Sequence, residues 1–262
     1  MSHVEMRVLA ARPPSRMLTH ECSPEMPACA GFITHEHCFR RPESAAANLQ
    51  APGRPVPVQQ PVHTAAARRT ICRQQDLHDS VPVICGGWAA SVVMLTDGSR
   101  QILSFHLPGD IVSTAFLFEP QPHCLIEAVT DVRYRTFQRG ELKAALLNRA
   151  DLFDKLSKAW IEEKHRADQL IVDLGRRSAD ERIARLILNL AERLARRGMT
   201  QASDTEMDFP LRQHHIADAT GLTPVHVSKV MTEFRRAGLI KINDRSLTIL
   251  DPAGFRSVAQ MR

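Results

Sequence analysis

The chain has 262 residues, 44% hydrophobic and 24% charged, the ordinary balance of a soluble globular protein with enough chain for a core in one or two domains. No run of about 18 apolar residues could form a transmembrane helix, and no apolar N-terminal stretch of about 7–15 residues marks a secretory signal, so a cytoplasmic protein is expected. The formal net charge of +5 lies wholly in residues 176–262, which hold fifteen Lys and Arg against ten Asp and Glu; residues 1–175 carry nineteen of each.

Residues 1–66 are rich in Pro and Ala and show no sustained period. Arg54-Pro55-Val56-Pro57-Val58 reads as an extended linker, and a poorly ordered N-terminal extension is expected. The segment holds Cys22, Cys29 and Cys38 beside His20, His35 and His37, side chains able to ligate a metal. In a cytosolic chain free thiols are the expectation, and no metal site is assigned.

Residues 67–148 carry β signals. Trp88 to Leu95 is apolar and β-branched, Thr96-Asp97-Gly98-Ser99 is a turn, and residues 101–107 form the return strand. Pro108-Gly109-Asp110 turns again, a further strand is expected from Ile111 onward, and Val132, Tyr134 and Thr136 alternate along another. Short strands punctuated this way predict a compact antiparallel roll.

A short helix is predicted at 140–148, and a long one with a hinge over 149–177. In the long helix Phe153, Leu156, Trp160, Ala167, Leu170 and Leu174 follow a four-three spacing, with Glu163 the one polar lapse. That stripe suits a coiled-coil seam between two copies, although packing on the chain's own domain would also satisfy it. Gly175 is expected to stop the helix, and Arg176-Arg177 to form the hinge.

Residues 178–255 begin with a capping box, Ser178 with Glu181, ahead of a helix whose apolar face is Ile183, Leu186, Ile187, Leu190 and Leu194. Gly198 ends it, and residues 200–208 read as a polar loop. Two short helices then flank Thr220-Gly221-Leu222. Gly221 can take the left-handed turn conformation, Thr223 suits an N-cap and Pro224 the first helical position. Val227, Val230, Met231 and Phe234 make one apolar stripe, leaving Val225, His226, Ser228, Lys229 and Thr232 off it. Two strands around Asn243-Asp244 follow as a wing. Two helices, a glycine-bearing turn and a polar second helix form the DNA-reading helix-turn-helix pattern, and all the excess positive charge lies on this half.

The run IADATGLTPVHVSKVMTEFRRAGLI at 216–240, with its wing, resembles the C-terminal domain of the Crp/Fnr superfamily of bacterial transcription regulators. The run DGSRQILSFHLPGD at 97–110 resembles that family's sensor domain, and the likeness spans about residues 67–255. It implies an α+β fold: an N-terminal antiparallel β-roll of the cyclic-nucleotide-binding type, a long dimerisation helix, and a C-terminal winged helix-turn-helix. It also implies a homodimer on a double-stranded DNA operator, with RNA polymerase as a partner, and no catalysis. By the same likeness Pro224, Val225, Ser228 and Lys229 take base-contacting positions, Thr223 caps them, and His226, Lys241 and Arg245 face phosphates. Members that bind cyclic AMP carry a Gly-Glu pair and an Arg-Ser pair in the roll. Here Ser113 and Thr114 replace the first and Pro122-His123 the second, and no arginine lies between Pro108 and Asp131. An effector pocket would therefore have to be built from Gly109, Asp110, Ser113, Thr114 and His123, without the cation a cyclic phosphate needs. Cyclic AMP is not expected. An iron–sulfur cluster is not expected either, because Tyr134 stands where that branch's fourth cysteine would be and Cys124 is off register. His78, Cys85, His106 and His123 could ligate haem, but hydrogen-bonded side chains are the expected reading. The alternative function is a redox or metal sensor whose winged helix contacts protein.

Overall fold

The computed structural model describes residues 62–74, 76–200 and 206–260; the Cys22, Cys29, Cys38 cluster and its histidines lie outside them. The roll is built from two antiparallel sheets. One has the order β1 (Val62–Ala65), β7 (Val132–Gln138), β3 (Ser80–Gly86), and the other β2 (Thr70–Cys72), β6 (Leu125–Ala128), β4 (Ala89–Met94), β5 (Arg100–His106). The expected boundary at residue 67 is too late: Val62–Ala65 pair in register with 132–135, giving β7 its second neighbour. The β4–β5 turn closes as the sequence indicates, with the Asp97 carboxylate accepting from the Ser99 N–H at 2.8 Å and Gly98 at φ +83°.

The strand expected from Ile111 does not form. Ile111 makes a single bridge to Val83, and the chain then enters a 3-10 turn at Thr114–Leu117. The Ser113 hydroxyl accepts from the Ala115 N–H at 3.2 Å, a local bond that competes with a ladder, while Phe116 and Leu117 enter the core. The roll interior holds Val81, Ile84, Phe116, Leu117, Ile126 and Val132 and is closed by Leu142 and Leu156 from the helices that follow.

Those helices are α1 (Arg139–Asn148) and α2 (Ala150–Arg176). Gly175 does not stop α2, which runs on to Arg176; the Arg177 N–H still bonds to the Asp173 carbonyl at 3.3 Å, and the Asp173 carboxylate is held by Arg185 at 2.6 Å. Tertiary anchoring there outweighs the roughly 1 kcal/mol that glycine costs inside a helix. The expected single seam also divides. Phe153, Trp160 and Ala167 face solvent together with Ile171, and Trp160 is 62% exposed. Leu156, only 7% exposed, is part of the roll core, whereas Leu170 and Leu174 are half-buried against the next helix. An a/d pattern is two stripes three residues apart, so about 60° apart on the cylinder. In this chain Leu156 and Leu170 of one stripe face home, and Phe153, Trp160 and Ala167 of the other face out, with Leu174 at its end turned in against the reader half.

Helix α3 (Ala179–Ala195) starts in the predicted capping box: the Glu181 N–H donates to the Ser178 hydroxyl and the Ser178 N–H to the Glu181 carboxylate. The supposed loop before the reader contains a strand, β8 (Glu206–Asp208), which pairs with β10 (Ser246–Ile249) and buries Met207; β9 (Ile240–Asn243) completes that sheet. A three-residue polar–apolar–polar strand carries too little period to be read from sequence. The reader consists of α4 (Gln213–Thr220) and α5 (Pro224–Arg236), and α6 (Pro252–Val258) extends it past residue 255: Asp251 caps α6, and Phe255 packs edge-on against Phe234 at 5.3 Å. Trp88, Val92, Ile102 and Phe105 of the roll share one buried cluster with Ile187, Ile216, Val230 and Phe234 of the reader half.

Candidate nucleic-acid interface

Gly221 makes the turn of the reader. Its φ is +66°, and a Cβ there would sit 3.2 Å from Leu174 Cδ2, so both the backbone and the close approach of α2 require glycine. The Thr220 carbonyl accepts from Arg182 at 3.2 Å, which fixes the turn to α3. The Thr223 hydroxyl then accepts from the His226 N–H at 3.2 Å and Pro224 opens α5. Val227, Val230, Met231 and Phe234 are all buried, so the opposite face is held outward. Val225 is 81% exposed, the Lys229 side chain 75% exposed, and Lys229 Nζ reaches only Glu233, at 4.0 Å.

Pro224, Val225, Ser228 and Lys229, the four positions expected to contact bases, line one shallow groove. Gln213 at the start of α4, with Thr232 and Arg236 one and two turns along α5, lines the same groove. Gln213 was not legible as a site residue, because polarity at a helix start reads as capping. Thr223 and His226 are exposed on the first turn, and Lys241 and Arg245 are exposed on the wing. The wing is tied to the strand before the reader, with the Phe209 N–H donating to the Arg245 carbonyl at 2.6 Å. Burial raises the Asp208 carboxyl above the usual carboxylate range, partly countered by Arg245. Chemically the surface combines a helix N-terminus, an ammonium, an apolar side chain able to meet a methyl group, and flanking cations. These are the groups that phosphates and base edges require.

The five residues proposed as an effector pocket do not form one. Asp110 is buried and turned toward α3, where it ion-pairs with Arg193 at 2.7 Å and with Arg197. Burial alone would raise its pKa, but the two guanidiniums and the Leu107 N–H hold it low. Gly109 supplies only the turn, at φ +91°. The Ser113 hydroxyl donates to Glu163 of α2 at 3.2 Å, and the Thr114 N–H and hydroxyl donate to it at 3.1 and 2.7 Å. His123 lies apart, exposed in a shallow surface depression with Leu77, Glu119 and Pro122. Glu163, the polar lapse in the predicted seam, is thus a bond between helix and roll that heptad reasoning missed. His106 bonds Ser91 at 2.7 Å, and burial drives its pKa down to about 4, opposed by Asp110 and reinforced by Arg193 and Arg166. Among the described residues no group of three or more His, Cys, Asp or Glu could hold a metal ion, and no helix is long and apolar enough to cross a membrane.

The Crp-like helix-turn-helix domain family matches residues 181–258, and the cyclic nucleotide-binding domain family matches residues 62–149. The nitrogen fixation regulation protein FixK of Bradyrhizobium diazoefficiens is 32% identical over 190 residues, 72% of this chain and 78% of the relative. The chain belongs to the Crp/Fnr superfamily of transcription regulators. FixK of Rhizobium meliloti is 32% identical over 209 residues, covering 78% of this chain and 90% of the relative, and the transcriptional activatory protein AadR of Rhodopseudomonas palustris is 28% identical over 237, covering 88% and 95%. Among solved structures, FixK2 of Bradyrhizobium japonicum shares the fold with a TM-score of 0.68 at 24% identity, over 76% of this chain and 97% of that one. A CRP-family transcriptional regulator from Thermus thermophilus does so with a TM-score of 0.60 at 22% identity, over 76% and 96%. This Crp/Fnr chain is therefore a transcription regulator with a helix-turn-helix DNA-binding domain, and its relatives do not favour the alternative of a sensor whose wing contacts protein.

Proposed function

We propose that the chain works in the cytoplasm as a homodimer that reads a two-fold operator through α5 and meets RNA polymerase there. The observation that carries this reading is the outward face of α5, where Val225 and Lys229 stand exposed above a buried stripe. Lys229 reads a guanine edge, Val225 meets a thymine methyl, and Ser228 and Pro224 complete the base contacts; Thr223, His226, Lys241 and Arg245 follow the phosphates. The exposed apolar stripe of α2, with Phe153, Trp160, Ala167 and Ile171, is the seam between copies, which sets two readers about one helical turn of DNA apart. Relatives named as activators, AadR and the FnrA of Stutzerimonas stutzeri, support activation rather than repression.

The dimer works without cyclic AMP, haem or an iron–sulfur cluster. Supporting this, Ser113 and Thr114 are already committed to Glu163 and Asp110 to Arg193 and Arg197, so these positions offer no free donor set for a cyclic phosphate. Selection of the preferred site from a random DNA pool, then gel shift of that site and a scrambled one at two salt concentrations, tests the reading. A palindromic consensus is expected, with discrimination that survives higher salt while overall affinity falls. Binding with no sequence preference would refute it, and added cyclic AMP is expected to change nothing.

A further inference from the structure

A cavity of about 330 Å³ lies between β5, the distal half of α2, α3 and the end of α4, away from both the DNA-reading face and the Ser113–Glu163 contact. Its walls hold five arginines against three carboxylates, and its apolar side is formed by Ile102, Phe105, Leu170 and Leu190 among others. The arginines are not all neutralised. Arg193, 5% exposed, donates to the Phe105 carbonyl and Asp110 at 2.7 Å, yet its Nε–H is buried with no acceptor. Arg166 has a buried Nε–H without acceptor as well, and its one ion pair, to Glu162, is long at 3.7 Å. Burial lowers Arg193 to about 10, Asp110 opposing it and Arg166 and Arg197 adding repulsion. Those two Nε–H groups are sealed from solvent, so what a ligand would meet is the wall's excess of guanidiniums over carboxylates, with the Arg166 side chain the partly exposed cation among them; an oxyanion is the group that matches such an excess.

We propose that this cavity binds a small phosphorylated metabolite, its phosphoryl group beside Arg166 and its carbon part against the Ile102–Leu190 wall. The pocket is at the small end of the range for ligand sites, which suits a sugar phosphate rather than a dinucleotide. Its polar α2 residues, Glu162, Arg166, Gln169 and Asp173, lie across the helix from Phe153, Trp160 and Ile171, so that side stays open when a second copy covers the stripe, while Leu170 and Leu174 line the side of the cavity nearer to it. A ligand there would touch roll, long helix and reader at once.

Calorimetric titration of the full chain in phosphate-free buffer at constant ionic strength tests the proposal, using inorganic phosphate and glucose 6-phosphate as probes. Saturable binding is expected for both. A tighter constant for glucose 6-phosphate assigns the site to an organic phosphate, and equal constants assign it to the phosphoryl group alone. Arg166→Gln, at a half-buried position bonded among the described residues only to Glu162, should weaken binding about tenfold, the effect of losing one charge-assisted bond. Glu162→Gln, at an exposed position, removes the carboxylate competing for Arg166 and Arg196 and should tighten binding. No saturable heat up to about 10 mM of either probe, or constants unchanged in both variants, would overturn the proposal. The readout is independent of operator recognition, so its failure leaves the DNA-reading assignment standing.

Discussion

At the scale of single residues the reading of DNA rests on Lys229. Its side chain is solvated in the free protein and pairs only weakly with Glu233, so truncation should cost the fold little. On the preferred operator Lys229→Ala should lose about 1–3 kcal/mol and relax discrimination at one base pair. Equal loss on scrambled DNA in the same titration would reassign Lys229 to the phosphates. Two buried histidines should make the fold acid-sensitive. His106 and His215 are both pushed down to about 4, mainly by burial, from an ordinary 6.5. Between those values the unfolded chain binds protons that the folded chain refuses. Their contribution is therefore complete above pH 6.5 and is lost as the pH falls toward 4. From pH 7 to pH 5 His106 should cost about 2 kcal/mol and His215, which solvent screens in part, less, so a melting temperature lower by roughly 5–10 °C is expected by calorimetry. Asp208 and Asp218, both raised chiefly by burial, act in the opposite direction because their folded forms hold protons above 3.8, so they offset part of the loss. His106→Gln should shrink the pH dependence, whereas a melting temperature flat from pH 7 to 5 in the wild type would show that the histidines are not buried as neutral rings. Neither histidine announces this in sequence, where a lone His in a strand or at a helix start has no visible partner.

At the scale of elements, what the sequence made legible follows from how much each motif is decided locally. The capping box at Ser178, the Gly221 turn and the Thr223-Pro224 helix start form as read, because each is specified by a few adjacent residues. The stop expected at Gly175 and the loop expected over 200–208 fail where a distant partner decides, Arg185 for the end of α2 and β10 for β8; the strand expected at Ile111 gives way to a 3-10 turn that the local Ser113 cap starts and the distant Glu163 secures. The α2 seam lies between these cases. Its four-three spacing cannot say which of two neighbouring stripes faces home. The structure answers this, and the answer is testable. Trp160→Glu should put a charge into the seam of each copy and leave the roll untouched, since Trp160 touches no core cluster. Each lost tryptophan contact is worth about 2–3 kcal/mol, so the dimer dissociation constant should rise by at least about a hundredfold. Sedimentation should report a folded monomer with weakened operator binding. Leu156→Glu, one turn away, should unfold the roll instead. A dimer of unchanged mass in the Trp160 variant would place the seam elsewhere.

At the scale of the whole molecule, roll and reader are docked by charge and by a shared core. Arg100 on β5 pairs with Asp218 on α4 at 3.4 Å and with Glu127 on β6 at 3.2 Å, and Gln101 reaches the Ala219 carbonyl at 3.5 Å. At the other end Asp110 holds Arg193 and Arg197. Between these clamps the outer face of β4 and β5, with Ala90, Val92 and Ile102, is covered by the reader half. The arrangement leaves Val225 and Lys229 open, so docking and DNA reading are compatible within one conformation. It also predicts that the clamps, rather than either core, set how tightly the reader is held. Asp110→Asn keeps the shape and most of the hydrogen-bonding capacity of the side chain, but leaves two guanidiniums without their carboxylate at the interface. Breaking a buried ion pair from one side costs about 3–5 kcal/mol, and here that cost falls on the contact between the halves. Hydrogen exchange should therefore speed up in residues 100–106 and 213–220, which meet across the contact. The amides around Val227, Val230 and Phe234 should keep most of their protection, being held by the reader's own packing with Phe255. The variant should still select the wild-type base sequence, since α5 is unchanged, but bind it less tightly because the two readers are no longer held at a fixed spacing. Protection lost evenly across both halves would instead mean that roll and reader open only as a single unit, with Asp110 contributing to overall stability and not to the joint.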